Sequence, residues 1–212
     1  WPSTSTCCSY VFYMLDNLQN TSIKRFMLPD TLGILYPKET YKYCKQIRER
    51  YPNLHFDFHG HNDYGLAVAN STAALTAGFN GIHTSVNGLG ERAGNTALST
   101  IVPCIHDHLH METTVQEITL NKISKIVETI SGIRVASNMP IIGENVFTQT
   151  AGVHADGDKK GNLYCNELMP ERFGRVRKYA LGKTSGKANI EKNLEELGLE
   201  LDAETKALIT AH

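Results

Sequence analysis

The chain has 212 residues, with 21 basic and 22 acidic side chains and a net charge of −1. That length suits one domain or one and a half, and the balanced charge lacks the basic excess a nucleic-acid protein carries to meet phosphates. No apolar run approaches the ~18 residues of a membrane span, so neither nucleic acid nor membrane is an expected partner. The cysteines Cys7, Cys8, Cys44, Cys104 and Cys165 are odd in number and form no CxxC pair. With no export signal, this reads as a reduced, cytoplasmic protein.

The first two-thirds alternate strand and helix. A strand over residues 23–28 leads into Pro29-Asp30-Thr31-Leu32-Gly33. A helix follows over 37–51, opened by Pro37, whose missing N–H and fixed φ suit a first turn. A second strand covers 54–59, an alanine-rich helix 66–77, a third strand 81–86 and a third helix 95–106. These βα units predict a parallel sheet, either doubly wound or part of a (β/α)₈ barrel. The last third differs. Ile118, Ile123, Ile126, Val127 and Ile130 recur at helical spacing over 115–130. Residues 138–161 are loop-like, and helices over 187–197 and 202–211 close the chain, the first with Ser185 as N-cap. The expected organisation is a barrel piece over 1–113 and a mainly helical subdomain over 114–212.

The densest chemistry lies in Leu54-His55-Phe56-Asp57-Phe58-His59-Gly60-His61-Asn62-Asp63. Side chains of a strand alternate between faces. Leu54, Phe56 and Phe58 therefore share one face, suited to packing against helices, and His55, Asp57, His59 and His61 share the other. Ligands of α/β folds bind outside the carboxyl ends of the strands, where His59 and His61 lie. Two such imidazoles can grip one divalent cation; the same residues also read as polar side chains of a strand-end loop. His106-Asp107-His108-Leu109-His110 is denser in histidine but follows a helix end, where a protonated imidazole suits the dipole.

Gly88-Leu89-Gly90-Glu91-Arg92-Ala93 has the form of a dinucleotide fingerprint. Glu91 would oppose a pyrophosphate, and no strand with an acidic end follows to hold a ribose. The loop instead brings Asn87, Glu91 and Asn95 toward the face of His59 and His61. His154 beside Asp156, in a glycine-rich stretch, can be a general acid–base pair or a hydrogen-bonded turn. The basic run of Arg172, Arg175, Arg177, Lys178, Lys183 and Lys187 reads as a solvated face, or as a seat for a phosphate.

Several of these segments together resemble one family. His59-Gly60-His61-Asn62-Asp63-x-Gly65-Leu66-Ala67-Val68-Ala69-Asn70-Ser71 is similar to a signature of the 2-isopropylmalate, homocitrate and citramalate synthases. So are Gly88-x-Gly90-Glu91-Arg92-Ala93-Gly94-Asn95, Pro29-Asp30-Thr31-Leu32-Gly33, Gly152-Val153-His154-x-Asp156-Gly157 and Leu181-Gly182-Lys183-x-Ser185-Gly186. The resemblance implies the C-terminal part of a (β/α)₈ TIM barrel, about three βα units, followed by a mainly helical subdomain. It implies a metal-dependent condensation of acetyl-CoA with a 2-keto acid, closed by hydrolysis of the CoA thioester. His59 and His61 resemble the metal ligands and Asn95 an occasional further one, for Mg, Mn or Zn. Thr31 resembles the hydroxyl that holds the keto-acid carboxylate, and His154 with Asp156 the catalytic pair, reaching a partner's site in a homodimer. Asn162, Leu163 and Tyr164 resemble residues near acetyl-CoA.

Within the family, the wording of residues 90–95 leans to the 2-isopropylmalate branch and leucine biosynthesis, with citramalate synthase, using pyruvate, and homocitrate synthase as alternatives. A metal-dependent hydrolase and a non-catalytic oligomerisation module are the readings from other classes. The family's Arg-Asp motif and mid-barrel Glu have no match here, so an incomplete chain, inactive alone, is the expectation.

Overall fold

The structure is a computed structural model that describes residues 5–150, 157, 166–181, 187–199, 202, 204, 205 and 208. Its described elements fall into two compact units: residues 1–115 with 129–132, and residues 116–128 with 133–212. Among the described residues, no helix is long and apolar enough to cross a membrane.

In the first unit, helix α1 (Ser5–Leu18) precedes β1 (Arg25–Asp30), α2 (Pro37–Arg50), β2 (His55–Gly60), α3 (Ala67–Thr76), β3 (Gly81–His83) and α4 (Leu98–Leu109). The three strands pair in parallel in the order β1-β2-β3. Their register sets Pro29, His59 and His83 side by side in one row and Met27, Asp57 and Gly81 in the row below. Parallel strands need crossovers, and α2 and α3 supply them.

Strand alternation places the core as expected. Phe56 and Phe58 are buried on one face of β2 against Leu35, Cys44, Ile47, Tyr51, Ala74 and Phe79. The Phe56 and Phe79 rings lie 5.4 Å apart, near the offset-stacked range that suits aromatic quadrupoles. Helix α2 buries Thr40, Cys44 and Ile47, a one-face spacing. Pro37 opens it, and the Glu39 carboxylate reaches back to accept the Tyr36 N–H at 3.2 Å. Burial pushes the Cys44 thiol up to about 12, so it packs as a small apolar filler.

Three elements differ from expectation. Helix α1 was not legible; it docks through Leu15, and the Tyr51 hydroxyl lies 2.8 Å from Asp16 Oδ1 and 3.1 Å from the Phe12 carbonyl. Strand β3 stops at His83, because Val86–Gly88 forms a 3₁₀ turn with Asn87 at φ 61°. Helix α4 starts at Leu98, because Asn95 and Ala97 bridge to His61 and Ser85 as extended chain.

The second unit is held by side-chain pairs and by side chains that bond backbone. Arg172 pairs with Glu117 through both its Nε and Nη2. Arg175 donates to Asn121 Oδ1 at 2.8 Å and to the Glu144 carbonyl at 2.9 Å. These two arginines are thus internal anchors rather than a phosphate seat. A short parallel pair, β4 (Thr148–Gln149) and β5 (Lys178–Tyr179), was not anticipated. Buried Asn189, on α6 (Lys187–Glu196), donates to the Thr150 and Ala180 carbonyls beside it.

Helix α5 (Leu120–Ser131) forms where the isoleucine spacing places it, yet its buried residues are Leu120, Ser124 and Glu128 while Ile126 and Ile130 stay exposed. Glu128 is tolerated inside because Lys125 Nζ and the Val135 N–H each donate to it at 2.7 Å. These bonds, the Lys125 one foremost, hold its carboxyl below the usual carboxylate range. A depressed acid contributes stability that is present above its unfolded pKa and lost as pH falls through its folded one. Glu128→Gln keeps an acceptor for Val135 but cannot titrate. Urea unfolding between about pH 6 and pH 3 is expected to show a shallower acid loss for this variant than for the wild type; equal slopes would contradict the assignment.

Candidate active site

The carboxyl ends of β1, β2 and β3 carry the candidate site. His59 ends the side-chain alternation of β2, and His61 follows as the chain leaves the strand. Their Nε2 atoms lie 3.3 Å apart, with the rings edge to face. Two nitrogens each about 2.1 Å from one cation stand about 3.0–3.4 Å apart for right-angle to tetrahedral geometry. The pair therefore fits a shared divalent cation. Asn95 lies across from His61 in an isolated bridge and puts its amide nitrogen 3.3 Å from His59 Nε2. A half-turn of that amide offers the oxygen at the same place. Gly90 makes the room: a Cβ there would fall 1.9 Å from Asn95 Oδ1.

Burial first, then the neighbouring His61 and His83, lowers the His59 pKa, which favours the neutral imidazole a metal requires. The Nδ1 atoms of His59 and His61 are buried and meet no partner among the described residues. Among those residues there is also no group of three or more His, Cys, Asp or Glu able to hold a metal. The candidate is thus two imidazoles and one amide, and the 106–110 cluster is not drawn together. His106 instead lies 3.0 Å from Thr113 Oγ1, and His110 caps α4 with left-handed backbone.

One row below, Asp57 is 1% exposed. Arg25 pairs with it, and the His55 and His83 Nε2 atoms lie 2.9 and 3.6 Å from its oxygens. Burial pushes the Asp57 carboxyl up, but the bonds from Arg25 and His55 together outweigh it and leave it below its ordinary value. A Cβ at Gly81 would sit 2.2 Å from Asp57 Oδ1, so the neighbouring strand leaves this carboxylate its space.

The remaining motif residues hold the loops. The Asn62 side-chain oxygen accepts the Ala67 N–H at 3.2 Å at the start of α3. Asn70, fully buried, donates to the Leu35 carbonyl and accepts from Thr40, and Ser71 bonds Thr96 at 2.8 Å. Thr31 is exposed one residue past β1, beside the position where His61 follows β2. Glu91 does not join the site; its side chain is 85% exposed. His154, Asp156, Asn162, Leu163, Tyr164 and Ser185 lie outside the described residues. Sequence reasoning gave no role to Arg92 or Gly33; only a left-handed backbone turn, which residue type does not reveal for an arginine, marks the first.

The profile of the HMGL-like family matches residues 3–130, more than half of the chain. The chain belongs to the HMGL-like family. Residues 141–212 match a second profile, described as homocitrate synthase post-HMGL domain-like. A homocitrate synthase of Saccharolobus islandicus is 41% identical over 186 residues, 87% of this chain and 40% of that protein. A protein of Archaeoglobus fulgidus named as a 2-isopropylmalate synthase is 38% identical over 204 residues, 95% of this chain and 40% of its own length. One of Methanopyrus kandleri named as an (R)-citramalate synthase is 36% identical over 202 residues, again 40% of its length. This HMGL-like chain thus spans about 40% of the length of these relatives. Among solved structures, the HMG-CoA lyase of Bacillus subtilis superposes with a TM-score of 0.57 at 24% identity, covering 64% of this chain and 46% of the lyase. That likeness shows the fold: an α/β chain with the parallel strands and helices of part of a TIM barrel.

Proposed function

We propose that this chain is a metal-holding piece, the C-terminal part of the catalytic region, of an acyl-CoA-dependent 2-keto-acid synthase of the 2-isopropylmalate type, joining acetyl-CoA to 2-ketoisovalerate. The observation that carries this reading is the His59–His61 pair, 3.3 Å between Nε2 atoms at the strand ends, with Asn95 beside it. His59, His61 and Asn95 would hold the divalent cation, which supplies Lewis-acid polarisation of the keto-acid carbonyl when bound. Thr31 donates its hydroxyl to the keto-acid carboxylate. The His154–Asp156 pair takes and returns protons at the carbonyl-derived oxygen and the hydrolytic water, serving the partner's site in a homodimer. Asn162, Leu163 and Tyr164 line the path of acetyl-CoA.

The test is a chimera in which this chain replaces the matching segment of the Archaeoglobus fulgidus relative. Thiol release from acetyl-CoA is followed with 2-ketoisovalerate, pyruvate and 2-oxoglutarate in turn. The proposal expects metal-dependent release, fastest with 2-ketoisovalerate. Faster turnover of pyruvate or 2-oxoglutarate would assign the citramalate or homocitrate branch, which similarly related proteins occupy. A folded chimera that binds metal and releases no thiol with any of the three would overturn the synthase reading.

A further inference from the structure

The loops after β1, β2 and β3 converge on one side chain to which nothing above gives a task. Arg92 Nε donates to Asp63 Oδ1 at 2.7 Å, and its Nη2 donates both to Asp63 Oδ2 at 3.0 Å and to the Thr31 carbonyl at 2.7 Å. The geometry points to Arg92 as a positioning residue that sets Thr31 against the His59–His61 pair, and so governs how the keto-acid carboxylate is held. This deepens the function proposed above and rests on it.

Each contact of Arg92 ends near a candidate site residue. Asp63 follows His61 by two positions, Arg92 precedes Asn95 by three, and Thr31 follows Asp30, whose carbonyl accepts the His61 N–H at 3.3 Å. The β1 loop also seats on the β2 loop without a side chain between them. Gly33 has φ +61°, and a Cβ there would lie 2.6 Å from Asp63 Oδ2 and 3.0 Å from the His61 carbonyl. Arg92 itself takes up left-handed backbone, φ 55°, a conformation that disfavours any side chain other than Asn or Asp. The fold accepts that strain where the fork of a guanidinium reaches two loops at once.

Arg92 is not the anchor itself. Its charge is matched by Asp63, and the donors on its Nε and Nη2 are taken by protein oxygens. Nor is it chiefly a staple for the fold. Its side chain is 41% exposed, and ion pairs in contact with water add little to stability. What remains is geometry: the one backbone group it holds in the β1 loop is the carbonyl of Thr31. Lysine has a single ammonium and cannot span Asp63 and Thr31 as the fork does.

The test uses the 212-residue chain loaded with Mn²⁺, titrated with 2-ketoisovalerate by calorimetry. Variants are Arg92→Lys, Arg92→Ala, Thr31→Val and Arg92→Lys with Thr31→Val, each checked for folding by thermal melt; if the alanine variant fails to fold, the lysine variant carries the test. Both Arg92 variants are expected to bind Mn²⁺ within about twofold of the wild type and to bind the keto acid about tenfold more weakly, the size of a lost hydrogen bond to a charged group. The double variant should be no weaker than Thr31→Val by more than about twofold, because the two act through one contact. Unchanged keto-acid binding in Arg92→Lys, or losses that multiply in the double variant, would overturn the inference. So would a wild-type chain that binds Mn²⁺ but no keto acid, while leaving the metal reading standing. A wild-type chain that binds no Mn²⁺ would instead remove the metal role given to His59, His61 and Asn95, and this inference with it, leaving the synthase reading to the chimera.

Discussion

Replacing His59 and His61 together by alanine is expected to weaken divalent-cation binding by the 212-residue chain at least about a hundredfold, since even partners of metal ligands cost 10–100-fold when lost. Calorimetric titration with Zn²⁺ or Mn²⁺ measures it. The expectation rests on the 3.3 Å between the two Nε2 atoms and on burial that favours the neutral His59 ring. Asn95→Ala should cost less, because a neutral amide oxygen is a weaker ligand than imidazole for Zn²⁺. Gly90→Ala should mimic it in direction, since the new methyl takes the space of Asn95 Oδ1. A double histidine variant with wild-type affinity would move the cation elsewhere, and His106, His108 and His110 would be the next residues to replace.

The largest expected effect on stability is at Gly94. Its φ is +84°, and a Cβ would fall 2.0 Å from the Gly88 carbonyl oxygen. That oxygen accepts the Asn95 N–H at 3.0 Å, while the Gly94 carbonyl accepts the Asn62 N–H at 2.9 Å. Backbone stands on both sides of the clash, so no flexible side chain can give way. Gly94→Ala should cost on the order of 3 kcal/mol, as strain at a special backbone position does. For a chain of this size that is roughly 6–12 °C in melting temperature. Gly65→Ala is the control. Gly65 has φ +72° but open space around its Cβ position, so only the conformational cost of about 1–2 kcal/mol remains. Equal melts for the two variants would show that contact, as distinct from backbone conformation, contributes nothing at Gly94.

These contrasts also show what could be read in advance. Strand alternation over residues 54–61 placed Phe56 and Phe58 in the core and the imidazoles on the other face, because period-2 geometry is local. Pro37 and the run of alanines before Gly78 located α2 and α3 to within a residue. The ends of β3 and α4 were misjudged, because Asn87 turns left-handed and Asn95 pairs with His61 across 34 positions, which no local pattern records. The face α5 buries was equally hidden: the isoleucine spacing is helical, but Glu128 is inside through bonds to Lys125 and Val135. Arg92 and Asp57 depend on strand register, which brings distant loops together only once the sheet is formed.

The row holding Asp57 has a consequence for how such a chain can change over generations. Asp57 pairs in register with Gly81, and a methyl at position 81 would overlap its carboxylate oxygen. Gly81→Ala is therefore closed while Asp57 stands. A change at 57 to a smaller residue opens it, but leaves Arg25, His55 and His83 facing one another without the carboxylate that joins them. The two positions form an ordered path, 57 before 81, with a destabilised intermediate in which three basic side chains share one face. Lineages that retain those three are held to aspartate and glycine together, and divergence in this row becomes accessible where one of the three has been replaced first.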